Sequence, residues 1–281
     1  MTLPWHTAAA IPALLWSLLL MRMADARPAL LVQQLAVGAV AVAAVVAAGR
    51  VLPRAAAGAG GRWSPMVLAA CIWLPFVGAS SNSPNRWVGV FGFRLYVASV
   101  VLPALLWLLL RPVSASPMWP APALVALPCA AVGLFLQPDA PQLLALTIGC
   151  TPMLLMSRWS HTEKALGIVP LLVATALAWA SPVRLEPVPY VEGVFALAWN
   201  HSRLLGVVTV ILAALPCFAL ARVAWVGRSP AALGPCLYLA TLFLLAPLQA
   251  TPVPLLGFGA GPILGYFTVC ACLQRTSTHA A

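Results

Sequence analysis

In a 281-residue chain with five acidic and fifteen basic residues, each acid calls for a reason. The densest grouping spans residues 184–206, where Arg184, Glu186, Glu192, His201 and Arg203 surround PVPYVEGVFALAWNHSRLLG. A carboxylate between apolar runs is costly unless it meets water, a partner or a chemical task. For Glu192 a chemical task is one reading. The plain alternative is a loop acid paired with Arg184 or Arg203, a contact that contributes little. Three other stretches hold polar residues of use. In NRWVGVFGF (Asn85 to Phe93), the Arg86 guanidinium matches a phosphate or diphosphate by its geometry, while Trp87 also reads as an interfacial anchor. LQPD places Asp139 directly after a proline, where a solvated helix stop explains it equally well. PVPLLGFGAG (Pro252 to Gly261) lines up Gly257, Gly259 and Gly261, small residues that let helices approach closely.

These residues have to be positioned by membrane-spanning helices. The chain is 63% hydrophobic and 7% charged, against about one quarter charged in a soluble domain. The fold class is therefore all-α, a polytopic membrane protein. A span needs roughly 20 mainly apolar residues, which gives about ten segments: Ala8–Met23, Leu30–Ala48, Pro65–Ala79, Leu95–Leu110, Ala121–Leu136, Pro141–Met156, Ala165–Ala180, Leu204–Val226, Ala231–Leu248 and Leu255–Leu273. Pro75, Pro103, Pro128, Pro170 and Pro216 fall inside them, and a bundle tolerates such kinks. The first run lacks a basic leader and is followed by Arg22 and Arg27, so it reads as a span and not a signal peptide. With both termini cytoplasmic, nine Lys and Arg (Arg50, Arg54, Arg62, Arg111, Arg158, Lys164, Arg222, Arg228, Arg275) face in and six (Arg22, Arg27, Arg86, Arg94, Arg184, Arg203) face out, the expected bias. One integral-membrane domain, 1–281, accounts for the chain, with 181–203 a short extracytoplasmic loop carrying the candidate site.

The net charge of +10 is spread thinly along helix ends, which argues for topology signals and against nucleic acid. Seven cysteines lie in apolar runs and read as small hydrophobes. Their spacing suggests no metal site, and His6, His161, His201 and His279 are scattered, so no metal ligand set is expected.

Taken in order, the four stretches resemble the SEDS family, the shape, elongation, division and sporulation proteins of the FtsW/RodA/SpoVE kind. Arg86, Trp87, Val88, Gly89 and Phe93 match its RRW-I-G-x-G-x-F loop. Gln137, Pro138 and Asp139 match its QPD segment, and Glu192, Phe195, Ala196 and Gly206 follow its D-F-I-F-A…G register, with Glu192 on the Asp. Pro254, Phe258 and Gly259 match the glycine-rich segment opening its last helix. The chain departs where Tyr96, Val97, Ala98 and Ser99 replace Q-P-S-E, where Pro141 and Gln142 follow the QPD segment, where Asn200 and His201 replace paired glutamates, and in a much shorter outer loop.

The resemblance implies a bacterial inner-membrane protein of cell division or cell shape. It implies a peptidoglycan glycosyltransferase that polymerises lipid II, or another undecaprenyl-diphosphate-linked substrate, beside a class B penicillin-binding protein. Glu192 is then the catalytic base, one methylene longer than Asp, a change in reach of about 1.5 Å. Arg86, Trp87, Asp139, Arg184 and Arg203 are the expected substrate-binding residues. The resemblance names no cofactor but leaves room for a divalent cation. Two other classes stay open. A flippase or transporter of a lipid-linked substrate suits kinked helices with few charges. A non-catalytic membrane partner would tolerate Glu192→Gln and Arg86→Ala alike.

Overall fold

The structure is a computed structural model that describes residues 4–51, 60–77, 86–90, 93–110, 120–181, 187–226 and 230–277. In chain order its helices are α1 (Trp5–Ala8), α2 (Ile11–Met23), α3 (Pro28–Val51), α4 (Gly60–Cys71), α5 (Val97–Leu110), α6 (Pro120–Leu136), α7 (Ala140–Met156), α8 (His161–Ala180), α9 (Val194–His201), α10 (Arg203–Val226), α11 (Pro230–Leu245) and α12 (Ala260–Ser277). Single 3-10 turns, Leu74–Phe76 and Ala246–Leu248, extend α4 and α11. The protein is a multi-pass membrane protein by length and composition. Trp5–Met23, Pro28–Ala47, His161–Ala180 and Arg203–Val226 are long and apolar enough to cross a membrane, and six further apolar helices are shorter. Each expected apolar segment overlaps one of these helices.

Local chemistry sets several boundaries. Asp25 turns the chain between α2 and α3 with φ of 51°, a conformation that Asp adopts more readily than most residues. Ser160 and Glu163 form a reciprocal capping box that starts α8, satisfying backbone donors the helix cannot. The Lys164 ammonium donates to the Leu155 carbonyl at 2.9 Å, tying the start of α8 to the end of α7. Prolines 103, 128, 152, 170, 216 and 235 sit inside helices, where neighbouring helices compensate for the lost donor.

The shorter helices form the middle. α5 packs on α12 and α11, and α7 packs on α11 and α8. Leu102, Leu105 and Leu106 of α5, Leu143 and Leu146 of α7, and Ile263 of α12 are completely buried. The long helices stand at the perimeter, with Val32, Leu35 and Val40 of α3, Leu172 and Leu177 of α8, and Ile211 and Phe218 of α10 exposed. That arrangement offers hydrocarbon to lipid and keeps the side-chain jigsaw inside.

Three elements differ from the sequence reading. Phe93–Tyr96 is a strand, β2, paired antiparallel with β1 (Trp87–Val90) in the register Trp87↔Tyr96 and Gly89↔Arg94. The span expected from Leu95 therefore starts at Val97, because the hairpin claims the preceding residues. Residues 252–259 lie outside the last helix: Leu255 and Gly259 have φ of 63° and 150°, incompatible with a right-handed helix. The expected loop 181–203 contains α9, whose Val194 and Ala198 are buried at the four-residue spacing of a helix face.

Candidate functional site

Four turns meet, each at the end of a different helix. They are the β1–β2 hairpin before α5, residues 137–139 between α6 and α7, residues 187–193 before α9, and residues 252–259 before α12. They are the same four stretches whose residue types drew attention in the sequence.

Arg86 enters the cluster just ahead of β1 and is 8% exposed. Its Nε donates to the Gln137 carbonyl at 3.0 Å and its Nη2 to the Pro138 carbonyl. The guanidinium thus fastens the hairpin to the turn between α6 and α7, and the charge is only partly available to a ligand. Asp139 is 0% exposed. Its Oδ2 accepts from the Tyr96 hydroxyl, while Oδ1 has no partner among the described residues. Burial pushes this carboxyl above the ordinary range, and the Arg86 charge and the Tyr96 bond act against that rise. A solvated helix stop is therefore overturned: Asp139 is an interior group. Trp87 stacks on Tyr96, with ring centroids 5.1 Å apart and an interplanar angle of 27°, so its described contact is with the partner of Asp139.

Glu192 closes a tight turn. Its Oε2 accepts from the Val188 N–H at 3.0 Å, and the N–H groups of Val191, Glu192 and Gly193 all converge on the Val188 carbonyl at 3.0 to 3.1 Å. Half-buried, its carboxyl is pushed above the usual glutamate range by burial, while the Val188 and Glu192 N–H groups and the Arg86 charge favour the ionised form. Arg86 thus acts electrostatically on both Asp139 and Glu192. The Glu192 turn is held in turn by the segment ahead of α12. Val253 N–H donates to the Val191 carbonyl at 3.3 Å, and Phe258 N–H to the Tyr190 carbonyl at 2.8 Å. The Tyr190 and Phe258 rings meet edge to face with centroids 6.2 Å apart.

The three glycines do different work. A Cβ on Gly257 would overlap the Val191 carbonyl oxygen, and one on Gly261 would lie 2.5 Å from the Tyr96 carbonyl oxygen. Both allow close backbone approach. Gly259 is not a packing residue, since its nearest neighbour would be a proline carbon at 3.8 Å; its φ of 150° is what excludes a side chain. Gly265, one turn beyond Gly261, sits against the Ser99 carbonyl with no room for a Cβ and is the tighter packing position.

Arg203 begins α10 and is exposed, and none of the contacts joining the four turns passes through it. Arg184 lies outside the described residues. Several buried groups were missed by sequence reasoning. Gln142 Nε2 donates to Ser99 Oγ at 3.2 Å, and the Tyr238 hydroxyl donates to Gln142 Oε1. With Tyr96 bound to Asp139, these residues extend polar contacts across β2, α5, α7 and α11. Tyr96, Ser99 and Gln142 are the positions where the chain departs from the motifs it otherwise follows, so the departures themselves were the available signal. Among the described residues no group of three or more His, Cys, Asp or Glu could hold a metal ion. The Arg86 charge beside Asp139 also opposes a second cation, so the donor set does not fit a divalent ion. The seven cysteines are free and buried or half-buried.

No family model and no curated protein matches the sequence. The fold does match solved structures. The rod shape determining protein RodA of Thermus thermophilus aligns with a TM-score of 0.67 at 17% identity, over 98% of this chain and 97% of that one. A point variant of the same RodA gives 0.67 at 16%, over 98% of both chains. A chain of a peptidoglycan synthase complex, described as coordinating polymerization and crosslinking, gives 0.66 at 17%, again over 98% of both. The chain has the fold of RodA.

Proposed function

We propose, taking the RodA fold as premise, that this protein polymerises glycan strands from lipid II or a closely related undecaprenyl-diphosphate-linked donor at the outer face of a bacterial inner membrane. The observation that carries this is the fold match over nearly the whole of both chains. It is supported by the meeting of Glu192, Arg86 and Asp139 at the four turns. The neighbour described as a peptidoglycan synthase complex supports a class B penicillin-binding protein as partner. In this reading the chain crosses the membrane ten times with both termini in the cytoplasm.

The chemistry follows from the groups in place. The Glu192 carboxylate takes the proton of the acceptor sugar hydroxyl as that oxygen bonds to the anomeric carbon of the donor. The bond from that carbon to the diphosphate oxygen breaks, and its electron pair leaves with the diphosphate. Departure is eased by positive charge near the developing anion. Arg86 is committed to backbone carbonyls, so its share is electrostatic: it favours the ionised form of Glu192. Among the described residues, the exposed cations Arg94, opposite Gly89 in the hairpin, and Arg203 are side chains that could meet the diphosphate.

The test is polymerisation of labelled lipid II by the purified protein, with and without a co-expressed class B penicillin-binding protein. Polymer from the wild type and none from Glu192→Gln is the expected result. Polymer from both would remove Glu192 from the chemistry, and a folded wild type that never makes polymer would refute the reading.

A further inference from the structure

The turn that carries Glu192 is tied to a neighbouring segment. Its backbone leans on residues 252–259 through the Val253 and Phe258 N–H groups. What fixes residues 252–259 is therefore what fixes Glu192. That segment contains two residues in the positive-φ region, Leu255 and Gly259, and such backbone persists only where its surroundings over-determine it.

Inside the bundle a buried side chain also grips this segment. Gln34 of α3 is 3% exposed. Its Nε2 donates to the Gly257 carbonyl at 3.3 Å and to Ser17 Oγ at 3.3 Å, and its Oε1 accepts from the Gly259 N–H at 3.2 Å. Ser17, in α2, in turn donates to the Leu14 carbonyl at 2.7 Å. Both amide hydrogens and the amide oxygen are used, so the carboxamide reads the turn on either side of Phe258, the residue whose N–H holds Tyr190. Such a donor–acceptor pair inside an apolar helix is costly unless fully satisfied, and here it is satisfied by the backbone that supports Glu192.

We propose that Gln34 is a positioning residue for Glu192, acting through residues 252–259: α3 holds the turn, the turn holds the Val191 and Tyr190 carbonyls, and these set where the carboxylate stands. Its catalytic consequence rests on the function proposed above, while the positional linkage does not. A misplacement of about 1 Å at a reacting group can cost about a hundredfold in rate, so a grip remote from the carboxylate reaches the chemistry.

The experiment is hydrogen exchange on the full-length protein in detergent or nanodiscs, comparing wild type with Gln34→Met, which keeps bulk and removes both kinds of hydrogen bond. Exchange is expected to rise together in residues 187–193 and 252–259 and to stay unchanged in α5 and α7. In the polymerisation assay the same variant is expected to lose kcat by tenfold or more, on the order of the misplacement effect above, with KM for lipid II little changed. Gln34→Glu supplies the control for folding. A neutral carboxylic acid offers one donor and one acceptor, one donor fewer than the amide, and burial favours that neutral form, so at low pH, after correction for intrinsic exchange, its protection should recover part of the way to wild type and should fall as the group ionises. Unchanged exchange at 187–193 in Gln34→Met, or a loss of protection spread evenly over the whole bundle, would overturn the proposal. A wild type without polymerising activity would overturn the proposed function, and the exchange result would still decide the linkage.

Discussion

At the residue scale the cluster is governed by how little water reaches its acids. The carboxyl of Glu192 titrates above the ordinary glutamate value because burial disfavours its charge, and Arg86 favours that charge. A base must be ionised to act, so polymerisation should rise with pH through a midpoint above about 4.3. Arg86→Gln removes the cation and should move that midpoint further up, as read from the pH dependence of kcat. The same shift bears on stability. An acid whose folded value is raised contributes stability that is present below its unfolded value and is lost as pH climbs through the folded one. Glu192→Gln should therefore lose less melting temperature than the wild type between about pH 4 and neutrality. Tyr96→Phe leaves the Asp139 carboxyl without its hydroxyl donor. An unsatisfied buried group costs about 1–3 kcal/mol, visible as a lower Tm of the solubilised protein. Glu192, Arg86 and Asp139 were legible in the sequence because charge is rare there. Tyr96, Ser99 and Gln142 showed only as departures from the motifs and Tyr238 not at all, since a lone polar residue in an apolar run gains meaning only when its neighbours from other helices are known.

At the scale of elements, helices read from hydropathy while their ends were settled by contacts. Composition marked all the apolar runs, but nothing local in FRLY distinguishes a span from a strand, and pairing with WVGV decides it. Likewise α9 was hidden in an assumed loop, because eight residues are too few for periodicity to stand out. Close approach was more visible: glycines before α12 signalled tight contact, although only the structure separates Gly257 and Gly261, which make room for backbone, from Gly259, which supplies a conformation. Gly257→Ala should push the Val191 carbonyl and carry Glu192 with it, lowering polymerisation about a hundredfold with a small change in Tm. Gly265→Leu, aimed at the Ser99 carbonyl, should instead separate α12 from α5 and reduce the folded yield seen by size-exclusion chromatography.

At the scale of the whole molecule, the perimeter and the middle are unequal. α3 and α10 each have 24 residues, while α5 has 14 and α7 has 17. At 1.5 Å per residue that is about 36 Å against about 21 and 25 Å, beside a hydrocarbon layer of about 30 Å. In the proposed topology, fusions of a cytoplasm-active reporter at either terminus should both be active, with a tag between residues 181 and 187 reachable from outside. A silent C-terminal reporter would reverse the assignment.

The unequal lengths have an effect on where the acids stand. Long helices surround a shorter middle, and the hairpin and the Asp139 turn stand at the ends of the short helices α5 and α7. On the proposed function, this would set the acids below the ends of the perimeter helices, beside hydrogen-bond partners that the protein itself supplies. A substrate anchored by a long isoprenoid tail could then be met at the level where it already resides, sliding sideways between perimeter helices, without its tail being drawn out of the bilayer.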